Sequence, residues 1–355
     1  MDNVYFLPRF LGRRPWTRNL AKGIEARILG AYALYLRRLP LARAQTSARG
    51  TFTRIGMRTR AHRELLANLA VLHPAATADQ LESKAQRTWG WLGVTFAEFV
   101  HIGELAATVA ERVSFEIAPE VEAVLRAPGQ AAVLASAHVG PWMLCNLVAG
   151  RHGFPLTTTL PSSSNEGIDQ LLRRMLRDLP VEQVTMDEGL EPLSAEIKRG
   201  HRVFVAVDGW NDEGHTVGMF GERMRLDPTA ALLAVRHDCP LVPIHALRLP
   251  GGRYRVVARR ALRPDKAIGS ESERAKRLTE AFAHDFERWI REVPGQWLCL
   301  TPRWADETVW GALTRAVERT QLPAEQAGRV SDEQLDETLS GQVSTPGSQP
   351  SRGAA

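Results

Sequence analysis

Short apolar runs alternate with helix-length amphipathic stretches over residues 113–258. The runs cover 113–117, 131–135, 155–159, 203–207, 241–246 and 254–258, and the stretches between them lie near 120–126, 142–152, 168–179, 190–199 and 228–237. A short apolar run bounded by turn signals reads as a strand buried on both faces, and strand–helix alternation reads as an α/β unit with a largely parallel sheet. Residues 61–112 carry helical periodicity instead. Thr77, Ala78, Asp79 and Gln80 have the spacing of a capping box, with Thr77 as N-cap and Gln80 as its partner. The helix expected after them carries Trp89, Trp91, Leu92, Phe96 and Phe99, an aromatic stripe suited to core or lipid-facing packing rather than a cofactor. A last amphipathic helix is expected over 271–293, with Leu278, Ala281, Phe282, Phe286, Trp289 and Ile290 on one face.

The same patterning divides the chain into three parts. Residues 1–60 mix arginines with large apolar side chains, as expected of a basic amphipathic segment. Their uncharged run, 28–36, is about half of the roughly 20 residues a membrane-spanning helix needs. Such a helix lies on a bilayer, apolar face down, or packs on the body with its arginines solvated. Residues 61–305 form the α/β domain with its helical lead-in, and 306–355 a C-terminal extension. From about 325 that extension is rich in Ser, Gly, Pro and Gln and nearly free of large apolar residues, a composition expected to be disordered.

Composition narrows the function classes. The 355 residues are 44% hydrophobic and 24% charged, ordinary for a globular protein. The net charge of +5 suits an anionic lipid surface or a phosphate-bearing ligand. No recognition helix or RNA-binding aromatic signature is present, so nucleic acid is not an expected partner. Cys145, Cys239 and Cys299 are widely spaced in apolar contexts, which fits reduced core residues and neither a disulfide framework nor a metal site.

One histidine stands out by position. His138 follows the run at 131–135 and precedes Gly140, Pro141 and the helical stretch from Trp142. Ligands of open α/β sheets sit outside the carboxyl ends of the strands, where loops present reactive groups from a rigid scaffold. Asp208 follows the run at 203–207 and is expected on the same rim.

Several blocks, in order, resemble the bacterial lipid A late acyltransferases, the lauroyl/myristoyl transferase branch of the lysophospholipid acyltransferase superfamily. AHRELLANLAVLHPAATADQLESKAQRTWGWLGVTFAEF is similar to that family's N-terminal helical region. AHVGPWM is similar to its His-Phe-Gly-Asn-Trp-Glu block, and LPSSSNEGIDQLLRRM to the segment that follows. VFVAVDGWNDEGHTVGMFGERMRLDPTAALLAVRHDCPLVPIHALR resembles the block with a central Asp and a Val-Pro strand, and REVPGQWLCLTPRW the closing block. The resemblance spans roughly residues 25–305. It implies a glycerolipid-acyltransferase-like fold, a mixed, largely parallel sheet flanked by helices with an N-terminal helical region. It implies acyl transfer from acyl-carrier protein or acyl-CoA to a lipid or glycolipid acceptor at the cytoplasmic face of the bacterial inner membrane, without a cofactor. His138 is then the general base, oriented by an acid as in catalytic triads. Gly140, Asn165, Arg173, Arg223 and Arg303 are the expected substrate contacts. Gly140 also fits a tight turn and Asn165 a helix cap, and for Arg173 the residues by themselves favour a solvated helix face over a phosphate contact.

The chain departs from that pattern at telling positions. Five residues after His138, where the family has Glu or Asp, stands Met143, which cannot orient an imidazole. Leu160 stands in place of an Arg, and Cys299 and Thr301 in place of an aromatic residue and His, while Trp297, Arg303 and Trp304 are retained. Either another carboxylate serves, with Asp208 first and Asp212, Glu213 and Glu98 behind it, or the chain binds lipid or acyl carrier without efficient catalysis, or the acceptor carries its own activated nucleophile. Asp208 fits a loop-holding structural acid equally well.

Overall fold

The computed structural model describes residues 15–321, apart from 60, 161–164, 180, 186–188, 210–213, 302 and 305. Asp212, Glu213, the first fourteen residues and the tail expected to be disordered lie outside the described residues. Helices α1 (Pro15–Arg37), α2 (Leu41–Gly56), α3 (Ala61–Leu72), α4 (Ala78–Val100), α5 (Ile102–Ala107) and α6 (Val109–Arg112) precede the first strand. Thr77 and Gln80 form the expected capping box at the start of α4.

The apolar runs become strands. β2 (Ala132–Ser136), β3 (Leu156–Leu160), β4 (Glu182–Thr185), β5 (Arg202–Ala206) and β8 (Leu241–Pro243) make a parallel sheet in the order β4-β3-β5-β2-β8. β1 (Val113–Ile117), β10 (Arg253–Ala258) and β9 (His245–Leu249) form a three-stranded mixed sheet, parallel between β1 and β10 and antiparallel between β10 and β9. The single run expected over 241–246 is therefore split between two sheets at Ile244. The architecture is α/β with a largely parallel sheet flanked by helices.

Alternation along the central strands explains why their sequences are apolar at nearly every position. Val133 and Ala135 of β2 and Val203 and Val205 of β5 face one core, shared with α3, α4, α10 (Glu191–Lys198), α11 (Thr229–Arg236) and α12 (Glu271–Glu292). Ala132, Leu134 and Phe204 face the other, shared with α5, α7 (Pro119–Arg126) and α8 (Leu147–His152). A strand covered on both faces has no solvent side on which a polar residue gains anything.

Two strand elements escape the hydrophobic pattern. β4 is a short polar edge strand, as edges often are. β6 (His215–Met219) and β7 (Glu222–Leu226) form an antiparallel hairpin whose outward positions include Arg223 and Arg225. Its two-residue turn is Phe220-Gly221, both at positive φ (55° and 81°), the geometry that lets a tight turn follow the strands' twist. Phe220 lies beneath the Arg291 guanidinium of α12, at 4.9 Å.

The boundary at residue 60 falls between α2 and α3, and α2 lies along α4 across it. The two helices approach so closely that a Cβ on Gly93 would stand 2.2 Å from the Ala48 carbonyl oxygen. α13 (Asp306–Gln321) begins the C-terminal extension and packs on α3 and α4. We expect Gly93→Ala to lower stability by about 1–3 kcal/mol, the usual cost of forcing atoms into a filled contact. Gly50→Ala on the same helix pair meets nothing closer than the tip of Arg54 at 3.7 Å, and should gain up to about 1 kcal/mol from helix propensity. Urea denaturation of both variants measures the contrast.

Candidate active site

β2 and β5 are parallel neighbours, and their registered last residues are Ser136 and Ala206. Each candidate residue lies two positions beyond its strand's end, so register alone carries His138 and Asp208 to one rim. One further rung, Val207 N–H to Ser136 C=O at 2.9 Å, extends the ladder to the edge of the site. Beyond it, Val139 N–H bonds to Ala137 C=O at 2.7 Å, closing a γ-turn around His138. Gly140 then has φ of 63°, a conformation that favours glycine. A Cβ there would also stand 2.4 Å from the Ala246 carbonyl oxygen. The close approach permitted by Gly140 is thus to β9.

The segment after α12 locks this turn from outside. Gly140 N–H donates to Gln296 C=O at 3.1 Å and Leu298 N–H to His138 C=O at 3.0 Å, while Val139 bridges Trp297 in antiparallel fashion. Trp297 is fully buried, edge-on to Phe286 and Trp304. The closing block of the sequence is therefore a strap across the histidine turn.

Asp208 is 0% exposed, and every charged group in such a place needs partners. Its Oδ1 accepts from His138 Nδ1 at 2.7 Å and from the His138 backbone N–H at 3.0 Å, and its Oδ2 accepts from Trp297 Nε1 at 2.9 Å. Arg303 donates to the Asp208 backbone carbonyl, with its guanidinium 5.9 Å from the Trp297 ring centre. Burial by itself would raise the Asp208 carboxyl. The His138 charge and hydrogen bond, the Arg303 charge and the Trp297 N–H outweigh it and hold the carboxyl well below the usual range. Burial lowers the Arg303 guanidinium, against the opposing pull of Asp208.

An ionised carboxylate only accepts, so the His138 proton is assigned to Nδ1 and the Nε2 lone pair points away from Asp208. The His138 side chain is 33% exposed, packed edge-on against Trp142 at 4.7 Å. A buried acid, an oriented imidazole and an accessible Nε2 together can remove a proton from a hydroxyl group.

A family model described as bacterial lipid A biosynthesis acyltransferase matches residues 26–306. The chain belongs to that family. Among solved structures, the 1-acyl-sn-glycerophosphate (LPA) acyltransferase PlsC from Thermotoga maritima is similar at 14% identity, covering 78% of this chain and 99% of that one with a TM-score of 0.32. No curated protein matches the chain.

In this acyltransferase-family chain the other expected site residues are dispersed. Asn165 caps α9 (Glu166–Leu176): its Oδ1 accepts from Gly167 and Ile168 N–H at 3.1 and 3.4 Å, and its Nδ2 donates to the Lys22 carbonyl of α1 at 3.0 Å. Arg173 is half-buried on α9, which packs on α1. Arg223 is exposed on β7, whose neighbour Met224 bridges Trp304. None of these three bonds to the His138–Asp208 pair. Met143 is buried in the apolar cluster with Leu144, Cys145 and Leu147, so a carboxylate at that position would enter a hydrocarbon environment. Leu160 is buried in the same cluster. Glu98 is committed elsewhere, to Arg248 at 2.6 Å.

Sequence reasoning named Trp297 as retained but not its indole N–H as a partner of Asp208. Only the fold joins residues 89 apart. Trp297→Phe should destabilise by about 1–3 kcal/mol, the cost of a buried acceptor left unmatched. Because the folded Asp208 value lies below its ordinary 3.8, its ionised form favours folding. That contribution is fully present above about pH 4 and is lost as pH falls below it. Stability against pH, measured by urea titration, should therefore fall less steeply below about pH 4 in Asp208→Asn than in the wild type.

Proposed function

We propose that this chain transfers a fatty acyl group from a thioester, carried by acyl-carrier protein or CoA, to a hydroxyl of a lipid or glycolipid. The observation that carries the reading is the 2.7 Å bond between His138 Nδ1 and Asp208. His138 Nε2 takes the acceptor proton as the hydroxyl oxygen attacks the acyl carbonyl. The C–O bond forms, the C–S bond breaks, and the imidazolium returns its proton to the departing thiolate. Asp208 holds the ring in the tautomer that leaves Nε2 free and stabilises the imidazolium. Asp208 thus takes the place of the family acid replaced by Met143. The same distance counts against the alternative of a binding homologue without catalysis, which predicts an imidazole with no carboxylate in reach.

The reading places the protein peripherally, at the cytoplasmic face of the bacterial inner membrane. No helix among the described residues is long and apolar enough to cross a membrane. α1 instead presents Trp16, Leu20, Ile28, Leu34 and Tyr35 as exposed large apolar side chains. At 100° per residue these fall within one arc of about 120°, with exposed Arg27 inside that arc and exposed Arg37 beside it. An exposed apolar face that also carries guanidiniums, whose long stems let the charge reach the headgroups, fits the interface of an anionic bilayer. The net charge of +5 also suits an acidic carrier protein.

With labelled acyl-carrier protein and a panel of lipid acceptors, His138→Ala should abolish transfer and Asp208→Asn should lower turnover by about 10³–10⁴, the scale of losing an orienting carboxylate. Equal product from wild type and His138→Ala would overturn the mechanism. In vesicle flotation, Trp16→Asp, Leu20→Asp and Leu34→Asp combined should weaken binding at least about tenfold, since each removes burial of a large apolar side chain. Substitution is preferable to deletion, because Ala21, Ala33 and Leu36 on the opposite face of α1 are buried. Undiminished flotation would remove the membrane role of α1.

A further inference from the structure

A second site lies apart from the His138 dyad, where α2 and α4 meet the β9–β10 hairpin. It is a pocket of about 340 Å³ lined by Gln45, Arg49, Trp91, Arg248, Arg253 and Tyr254, among others. Two guanidiniums meet one indole there: Arg49 lies 4.2 Å and Arg248 5.1 Å from the Trp91 ring centre. Arg248 is neutralised. Its Nε and Nη2 donate to Glu98 at 2.9 and 2.6 Å, and Glu98 Oε1 also accepts from Gln45 at 3.2 Å and Tyr254 at 3.1 Å. Glu98 is thereby saturated.

Arg49 has no such partner. Its guanidinium makes no hydrogen bond and no ion pair to any described residue, although it is held over Trp91 and close enough to Arg248 to be repelled. Partial burial and then the Arg248 charge lower its affinity for its proton, and Glu98 offsets them only in part. Arg253 adds a further exposed charge at the rim. Three guanidiniums against one carboxylate leave the pocket with a net charge of about +2, which matches a phosphate monoester dianion, and planar forks suit its oxygens. The volume, within the range of small-molecule sites, leaves room for an organic body beside the apolar walls of Ala42 and Val94.

We infer that Arg49, Arg248 and Arg253 around Trp91 form a binding site for the phosphate monoester of an organic ligand. The site communicates with the histidine turn through one residue. Arg248 Nη1 donates to Gln296 Oε1 at 2.6 Å, and the Gln296 carbonyl accepts the Gly140 N–H. Two sources present this chemistry, a phospholipid headgroup and the ribose phosphate of a soluble nucleotide carrier.

The site is tested by binding alone, on His138→Ala protein, so that failure of the transfer mechanism and failure of this site are separate results. The probes are inorganic phosphate, 3′,5′-ADP, and phosphatidylcholine vesicles with and without phosphatidic acid. Arg49→Gln should weaken at least one phosphate-bearing probe about tenfold, the scale of one charge-assisted contact, with a cooperative thermal melt showing that the fold is retained. Arg49→Lys should recover part of the loss. Arg43→Gln, an exposed arginine of α2 outside the pocket, should change affinity less than twofold. A loss confined to 3′,5′-ADP identifies the soluble source, and one confined to phosphatidic acid vesicles the headgroup. Equal affinities of Arg49→Gln and Arg43→Gln for every probe would overturn the proposal.

Discussion

A single buried carboxylate organises the rim of this protein. Asp208 has no access to water, so its charge is tolerable only because both oxygens are matched by donors from two distant segments, the His138 turn and Trp297. Those bonds bring the end of β2, the end of β5 and the strap after α12 into one cluster. Removing any donor leaves a charge in a low-dielectric place, so the arrangement tolerates few alternative geometries. The imidazole inherits that rigidity. Its backbone N–H, its Nδ1 and its carbonyl oxygen are all bonded, and only the outer edge of the ring meets solvent.

A second polar cluster ties the helical layer to the sheets. Glu98 on α4 meets Arg248 on β9 and Tyr254 on β10, with Gln45 of α2 completing the set. Arg248 reaches onward to Gln296, in the strap that covers the histidine turn. The N-terminal helices are thus joined to the site through a buried ion pair and hydrogen bonds as well as apolar packing. The dyad and the arginine-lined pocket lie at two ends of this connection.

Most of the architecture was legible from hydrophobic spacing. The five-residue apolar runs are strands because the central sheet is covered on both faces, and α12 follows the apolar stripe that packs on α11 and β6. The capping box at Thr77 was legible because it is local. The elements that hydrophobicity missed, β4 and the β6–β7 hairpin, lie at edges where alternate side chains face water. The end of the strand at Pro243 was also hidden, since a continuous apolar run carries no mark where one sheet gives way to another.

The sequence by itself determined the sheet-and-helix order, the position of His138 beyond a strand end and the family to which the chain is similar. It also exposed the absence of an acid at Met143. The contact between Asp208 and the histidine was decided by tertiary structure, because parallel register between β2 and β5 brings together residues 70 apart in the chain. On paper Asp208 stands first, because it follows a strand end, with Asp212, Glu213 and Glu98 behind it. Burial and donor geometry distinguish Asp208, which faces the imidazole, from Glu98, which neutralises an arginine. Asn165 likewise read as a ligand contact or a helix cap until its side chain was seen to cap the start of α9 and bond the Lys22 carbonyl within α1. Local patterns carry local structure. A buried charge takes its role from whichever donors the fold brings within about 3 Å.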